Sequence, residues 1–425
     1  MSDREAPPPR PAYSRVRGEG GEDAWLPPAE PQRPRTLADE LEPGSALRSE
    51  MGLASAPEER RVPERLAPFH FTGDGGEYFR IWIVNLLLTV VTLGIYSAWA
   101  KVRKTRYFWQ NTRLEGHAFD YHGDPRAILF GRIIALVLLA AYSLGFRFSR
   151  TAGLATVAVL LLVGPWLFMR AQRFRLVNSS WRGLRFGFDM RLREAYEVVL
   201  PPLVIWFSGA VLGAVASDQL GLVGSVGVLT SIMLPWMHHR LKSYQHRRAR
   251  FGDREFDFLP AARGFYAVYF KAGLVAALGA LAGMLAFVAV TFAVGDRSSV
   301  LWIIGMTMAT VPFVLLVVYL VGWPYFAARM QALVWSHTRL GDVRFGSAIA
   351  FWPLFALTVK NVLLTIVTAG LYWPFAAVAF ARYRVECMRT ESDTPLAMLA
   401  QSTSAQPGAA TGDAALDAFG LDIGL

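Results

Sequence analysis

Residues 85–96 and 361–372 are nearly the same twelve-residue string, 276 positions apart, and each lies inside a long apolar stretch. The first copy runs from Asn85 through Thr89, Thr92 and Gly94 to Tyr96, and the second from Asn361 through Thr365, Thr368 and Gly370 to Tyr372. Apolar segments resemble one another in hydrophobicity as a matter of course, but not in their polar punctuation. A chain with this signature is built by internal repetition, and its apolar content places the repetition in a membrane. Apolar residues make up 53% of the 425, charged residues only 18%, and mean hydropathy is positive. These values fit a polytopic helical membrane protein and argue against a soluble enzyme.

Six stretches reach the length of about 20 residues that a bilayer core requires: 127–146, 152–169, 195–216, 220–237, 264–294 and 299–328. They pair into hairpins through short connections at 147–151, 217–219 and 295–298. Segments 79–100 and 352–380, which carry the duplicated string, bring the expected number of membrane segments to between six and eight. Lys and Arg are distributed unequally. The long connections 98–126, 170–194, 238–263 and 329–349 hold 23 of them, and the short connections hold Arg147, Arg150 and Arg297. That asymmetry predicts a multi-pass membrane protein with its long loops in the cytoplasm.

Each long connection has a basic lead-in, a turn and an alternating aromatic pair. The pairs are Phe119-x-Tyr121, Phe186-x-Phe188, Phe256-x-Phe258 and Val343-x-Phe345, with Phe69-x-Phe71 ahead of the first segment. Period-two aromatics behind turn residues such as Glu115-Gly116 and Gly341-Asp342 predict β-ribbons. Because an isolated hairpin is marginal in water, the ribbons are expected to pack as a small cap. The plainer alternative makes each pair an interfacial anchor. The expected fold is therefore all-α and polytopic: repeated transmembrane hairpins with short cytoplasmic β-ribbon connections. Residues 1–66 hold 11 of the 24 prolines, with ten arginines and thirteen carboxylates, and read as a disordered tail, as do residues 391–425. The membrane domain occupies 67–390.

Within that domain the chain resembles the YjgN family, bacterial inner-membrane proteins whose domain has no known function. The resemblance rests on Phe69-His70-Phe71-Thr72-Gly73, on the run from Thr92 to Arg103 with Tyr96, Trp99 and Lys101, on Arg106-Tyr107-Phe108, on Asn111-Thr112, and on Gly116-x-x-Phe119-x-Tyr121-x-Gly123. It implies location and fold and supplies no catalytic residue. The second copy departs from the pattern, with Trp373-Pro374-Phe375 after its tyrosine and Ala377 where the first copy has a basic neighbourhood.

No metal-ligand, phosphate-loop or nucleophile signature is present, so no enzyme, cofactor or metal is expected. His238, His239 and His246 read as part of a solvated basic face. The single cysteine, Cys387, excludes an internal disulfide. The candidate site is the intramembrane polar set Asn85, Thr89, Thr92 and Tyr96 with Asn361, Thr365, Thr368 and Tyr372, and Gly94 and Gly370 are candidate helix breaks. Asn85, Thr89 and Thr92 fall at i, i+4 and i+7, on one helix face. A polar stripe in lipid must face the bundle or water. It either binds a small solute or lipid, as at the broken helices of transporters, or hydrogen-bonds one copy to the other. The alternative role is a scaffold whose cap and tails recruit protein partners. Lys101, Arg103, Lys104 and Arg106 are candidate contacts to anionic lipid headgroups; nucleic acid is not an expected partner. Lys271, Lys360 and Arg132 read as cations that snorkel to the interface. Length favours full crossings by 79–100 and 352–380; Arg80, Arg382, Arg384 and Arg389 favour both termini inside, with the two segments turning back at their glycines.

Overall fold

The computed structural model describes residues 14–17, 23–26, 65–215, 220–294 and 300–392. The expected connections at 217–219 and 295–298, and the tails apart from those strands, lie outside the described residues. Two compact units are present, residues 1–62 and 63–425. In the first, β1 (Ser14–Arg17) pairs antiparallel with β2 (Asp23–Leu26).

In the second unit the all-α expectation is overturned. Besides ten helices, the described residues form a closed antiparallel barrel of ten strands. Its strands are β3 (Arg65–Phe71), β4 (Thr112–Leu114), β5 (His117–Tyr121), β6 (Ser179–Trp181), β7 (Leu184–Phe188), β8 (Ala249–Phe251), β9 (Arg254–Phe258), β10 (Thr338–Leu340), β11 (Val343–Ser347) and β12 (Met388–Ser392). The ribbons are not separate connections, because each has two edges with unpaired N–H and C=O groups, and joining edge to edge in a ring satisfies them all. The ring closes where the first strand meets the last, with Ala67 opposite Thr390 and Leu66 opposite Glu391.

The helices are α1 (Gly75–Val91), α2 (Ser97–Gln110), α3 (Pro125–Phe148), α4 (Arg150–Val177), α5 (Leu192–Val215), α6 (Leu220–Arg247), α7 (Ala262–Val294), α8 (Val300–Ser336), α9 (Phe351–Val367) and α10 (Trp373–Glu386). Each packs on the helices before and after it in the chain, and α10 packs back on α1, so the helices also close into a ring. One unit repeats five times with fixed spacing. Strands ending at 71, 121, 188, 258 and 347 are followed by helices starting at 75, 125, 192, 262 and 351. Helices ending at 110, 177, 247, 336 and 386 are followed by strands starting at 112, 179, 249, 338 and 388. The fold is thus five helical hairpins hung from one barrel.

Alternation along the strands explains the aromatic pairs. Phe69, Phe119, Phe186, Phe256 and Phe345, one from each odd-numbered barrel strand, fill the interior together with Leu114, Trp181, Phe251, Leu340 and Met388 from the even ones. Two residues on, hence on the same strand face, Phe71, Tyr121, Phe188 and Phe258 leave the barrel end and pack among the helices. In the fifth unit Ser347 takes that position and accepts a hydrogen bond from Gln331 Nε2 at 3.2 Å. The fourth ribbon's pair is therefore offset from expectation: Phe345, not Val343, is the counterpart of Phe119, and Val343 aligns with Leu184.

Four described helices are long and apolar enough to cross a membrane: α3, α4, Ala262–Val290 of α7 and Met308–Ser336 of α8. Segments 79–100 and 352–380 are not single helices. Each breaks near its middle, at Leu93-Gly94 (φ 50° and 93°) and at Ala369-Gly370 (φ 49° and 93°). Two successive positive φ values reverse the chain, so α1 and α9, at 17 residues each, return as α2 and α10. At 1.5 Å per residue such a helix measures about 25 Å, short of a typical hydrocarbon core.

Candidate functional site

The duplicated string forms the tips of the first and fifth hairpins, which are neighbours through α1 and α10, where Phe79 stacks on Phe375 at 5.6 Å. Its threonines serve the local backbone. Thr89 Oγ1 donates to Asn85 O at 2.6 Å and Thr365 Oγ1 to Asn361 O at 2.7 Å. Thr92 Oγ1 and Thr368 Oγ1 donate to Leu88 O and Leu364 O, both at 2.7 Å. The same two hydroxyls accept from Tyr96 N at 2.9 Å and Tyr372 N at 3.0 Å. Each thus ties the end of one helix to the start of the next across the reversal. Tyr96 stacks on Trp99 and Tyr372 on Phe375. The matching polar residues are in large part the requirements of one tight turn.

The asparagines are different. Asn85 is 7% exposed and Asn361 2% exposed. Asn85 Oδ1 and both Asn361 side-chain polar atoms are buried without a hydrogen-bond partner. The alternative that the two copies bond to each other through these groups is therefore not realised. They occupy the same position in their repeats, ten residues into α1 and α9. A buried amide left unmet costs about 1–3 kcal/mol, and these two stand at equivalent positions of their repeats.

On α2, Arg103, Lys104 and Arg106 are exposed and Lys101 is half-buried; Arg106 Nε also donates to Tyr121 O at 3.2 Å. Lys271 and Lys360 are exposed on their helices. Arg132 donates to Ser97 Oγ, at the start of α2. The histidines are not a solvated face. His238 lies against Phe265 and bonds Tyr269 Oη at 3.0 Å, His239 Nε2 accepts from Ala261 N at 3.2 Å, and His246 bonds Thr338 Oγ1 at 3.1 Å.

A second polar layer, not anticipated from the sequence, lies where the incoming helices meet the barrel. Counted back seven residues from the strand each helix feeds, the residues are Thr105, Gln172, Lys242, Gln331 and Ala381; counted back four, they are Phe108, Arg175, Gln245, Val334 and Arg384. Gln172, Lys242 and Gln331 are buried. Burial, reinforced by the cationic Arg175 and Arg384, pulls the Lys242 ammonium down to about 8. Aligning the five lead-in helices on their strands would have revealed this layer; reading each loop by itself hides it among topology-setting arginines. In the same alignment Pro165, Pro235, Pro324 and Pro374 coincide, each followed by an aromatic residue, with Ala98-Trp99 as the fifth member. Four residues beyond the aromatic, Arg170, Arg240 and Arg329 sit over Trp166, Trp236 and Tyr325, with 4.6 to 5.7 Å from guanidinium to ring.

Residues 66–418 match the model of a family described as a bacterial protein of unknown function, DUF898. The chain belongs to this family. It is 30% identical over 186 residues to the inner membrane protein YjgN of Salmonella typhimurium, covering 39% of this chain and 47% of that protein. It is 31% identical over 186 residues to the inner membrane protein YjgN of Escherichia coli K12, covering 43% and 46%. The chain spans about half the length of the curated relatives it matches. No solved structure matches it. The resemblance read from the Thr92–Arg103 run is thereby confirmed, and the inner-membrane relatives agree with the apolar helices found here.

Proposed function

We propose that this protein is a multi-pass inner-membrane protein that receives a small solute, or the polar part of a lipid, at its two short hairpins, in a non-enzymatic role of moving or sensing it. The orphaned amides of Asn85 and Asn361 carry the reading. The excess of Lys and Arg at the barrel end supports a cytoplasmic barrel by the positive-inside rule. The short hairpins then enter from the cytoplasmic side and return, leaving the opposite side of the ring built by the longer hairpins alone. A polar group arriving through that shortened wall meets two amide oxygens that have no hydrogen-bond partner within the chain, which supports lateral access from the bilayer. The barrel interior, filled by two layers of large side chains, argues against conduction along the barrel axis.

Native mass spectrometry of the gently solubilised full chain tests this with the cell's own lipids and solutes as probes. Wild type should retain one or more small-molecule adducts. The double variant Asn85→Leu, Asn361→Leu should lose them while unfolding at the same or a higher temperature, because the unmet amides are gone. Identical adduct spectra from the two folded proteins would refute the reading.

A scaffold role is supported by a separate observation. Arg65 and Ser392 are direct partners in the sheet, so the chain enters and leaves the barrel at one place, where both flanking segments could be read by a single protein partner. That role predicts partners lost on altering the barrel turns and kept on altering the asparagines.

A further inference from the structure

The five incoming helices share a ring of aromatic side chains at one height. Trp99, Trp166, Trp236, Tyr325 and Phe375 each lie thirteen residues ahead of the strand their helix feeds, β4, β6, β8, β10 and β12. Those strands belong to one closed barrel, so equal spacing sets the five rings level with one another. One turn nearer the barrel, the guanidinium groups of Arg170, Arg240 and Arg329 lie over Trp166, Trp236 and Tyr325. Amphipathic rings with a basic residue on their aqueous side settle at the headgroup level of a bilayer. The belt marks where the membrane begins.

Beyond that belt the hairpins differ. Trp166, Trp236 and Tyr325 lie 16, 16 and 25 residues after the starts of α4, α6 and α8. That is about 24 to 38 Å of helix, the scale of a hydrocarbon core of about 30 Å. Trp99 and Phe375 lie only two residues after the starts of α2 and α10. The reversals at Leu93 and Ala369 come six residues ahead of those two rings, which keeps the tips within about 10 Å of the belt. A contact gives the same height independently. Arg132 of α3 donates to Ser97 Oγ at the start of α2, and α3 runs on for sixteen more residues to Phe148. The tips are nonetheless apolar and uncovered: Leu93 is 94% exposed and Val367 81%, with Val91, Ile95, Ile366 and Leu371 exposed beside them. Apolar side chains at that depth lie at the boundary of headgroups and acyl chains in a single leaflet.

We infer that the two short hairpins form an apolar wedge in the barrel-side leaflet, and that the partner it fits is the acyl region of a loosely packed leaflet. A wedge adds volume beneath the headgroups of one leaflet only. It is accommodated best where small headgroups leave gaps, so it ties the stability of the protein to lipid composition. The wedge and the asparagine site rest on different side chains of these hairpins, and either can fail without the other.

The test uses the full-length protein in phosphatidylcholine vesicles, in a Cys387→Ser background, with bimane on one cysteine introduced at Leu93, Val367 or Leu139. Leu139 is exposed on α3, seven residues beyond Arg132, and reports a deeper position. Lipid carrying a nitroxide high on its acyl chain should quench Leu93→Cys and Val367→Cys more than lipid carrying it near the chain end. Leu139→Cys should show the reverse order. In a second measurement, the unfolding temperature of the wild type should be higher in dioleoyl vesicles containing phosphatidylethanolamine than in dioleoyl phosphatidylcholine alone. The double variant Leu93→Ser, Val367→Ser should lose at least half of that difference. Quenching of Leu93→Cys in the order shown by Leu139→Cys, or a double variant that keeps the whole lipid response, overturns the inference. Should the double variant not fold, a wild type without any lipid response, or the wrong quenching order, still overturns it.

Discussion

Truncation after Cys387 is expected to abolish the folded protein, although it removes none of the described helices. The deletion takes away β12, which pairs on one side with β11 through Arg344–Ser347 and on the other with β3 through Arg65–Pro68. Both neighbours become free edges, Met388 leaves the barrel interior, and the ring on which five hairpins hang is opened. Each lost backbone hydrogen bond is worth roughly 1 kcal/mol net, and exposed edges invite intermolecular pairing. The expected result is aggregated protein on size exclusion and rapid cleavage by trypsin. Truncation after Ser392, which keeps β12, should behave as the full chain does. A Cys387 truncation that stays monodisperse and protease-resistant would mean that the helix ring folds without the barrel.

The second large effect is local. Phe258 is 0% exposed and sits at the junction of barrel and helices, packed with Phe265, Val268, Met330 and Val334, its backbone carbonyl accepting from Arg247 Nη2 at 3.0 Å. Phe258→Ala leaves a cavity of ring size between two rigid layers that close little, and should cost about 3–5 kcal/mol. The control is Phe270→Ala on the outer face of α7, where the side chain is exposed and the stability change should stay within about 0.5 kcal/mol. Thermal unfolding in detergent separates the two. Equal losses would show that the aromatic junction is not the organising layer of this fold.

The contrast between Phe258 and the barrel closure shows what was legible in the sequence. The alternation Phe256-x-Phe258 is local, so the ribbon and its buried face follow from six residues. The pairing of β3 with β12 joins positions more than 300 residues apart and leaves no local trace, because a strand that closes a ring looks like one that stays at an edge. The fivefold unit was hidden for a related reason. Its constant features are spacings, whereas its side chains vary: the position held by Lys242 is Thr105 in one repeat and Ala381 in another. Hydropathy also misled for 79–100 and 352–380, since it cannot see that Leu93 and Ala369 take positive φ before their glycines. The candidate site was half legible. Asn85 and Asn361 stood out correctly as buried polar residues, but the threonines beside them proved to be fastenings of the turn.

Cysteine accessibility tests the central claim, that five hairpins hang from a cytoplasmic barrel and two of them turn back inside the bilayer. The native thiol is poorly suited, because Cys387 is half-buried and its pKa is raised by that burial. In a Cys387→Ser background, single cysteines would replace Asp253 in a barrel turn, Ser149 at the tip of a long hairpin, and Leu93, which is 94% exposed at the tip of a short one. A membrane-impermeant maleimide on intact spheroplasts should label Ser149→Cys at once, Asp253→Cys only after lysis, and Leu93→Cys weakly in either case. Labelling of Asp253→Cys in intact spheroplasts, or of Leu93→Cys as fast as Ser149→Cys, would contradict the account.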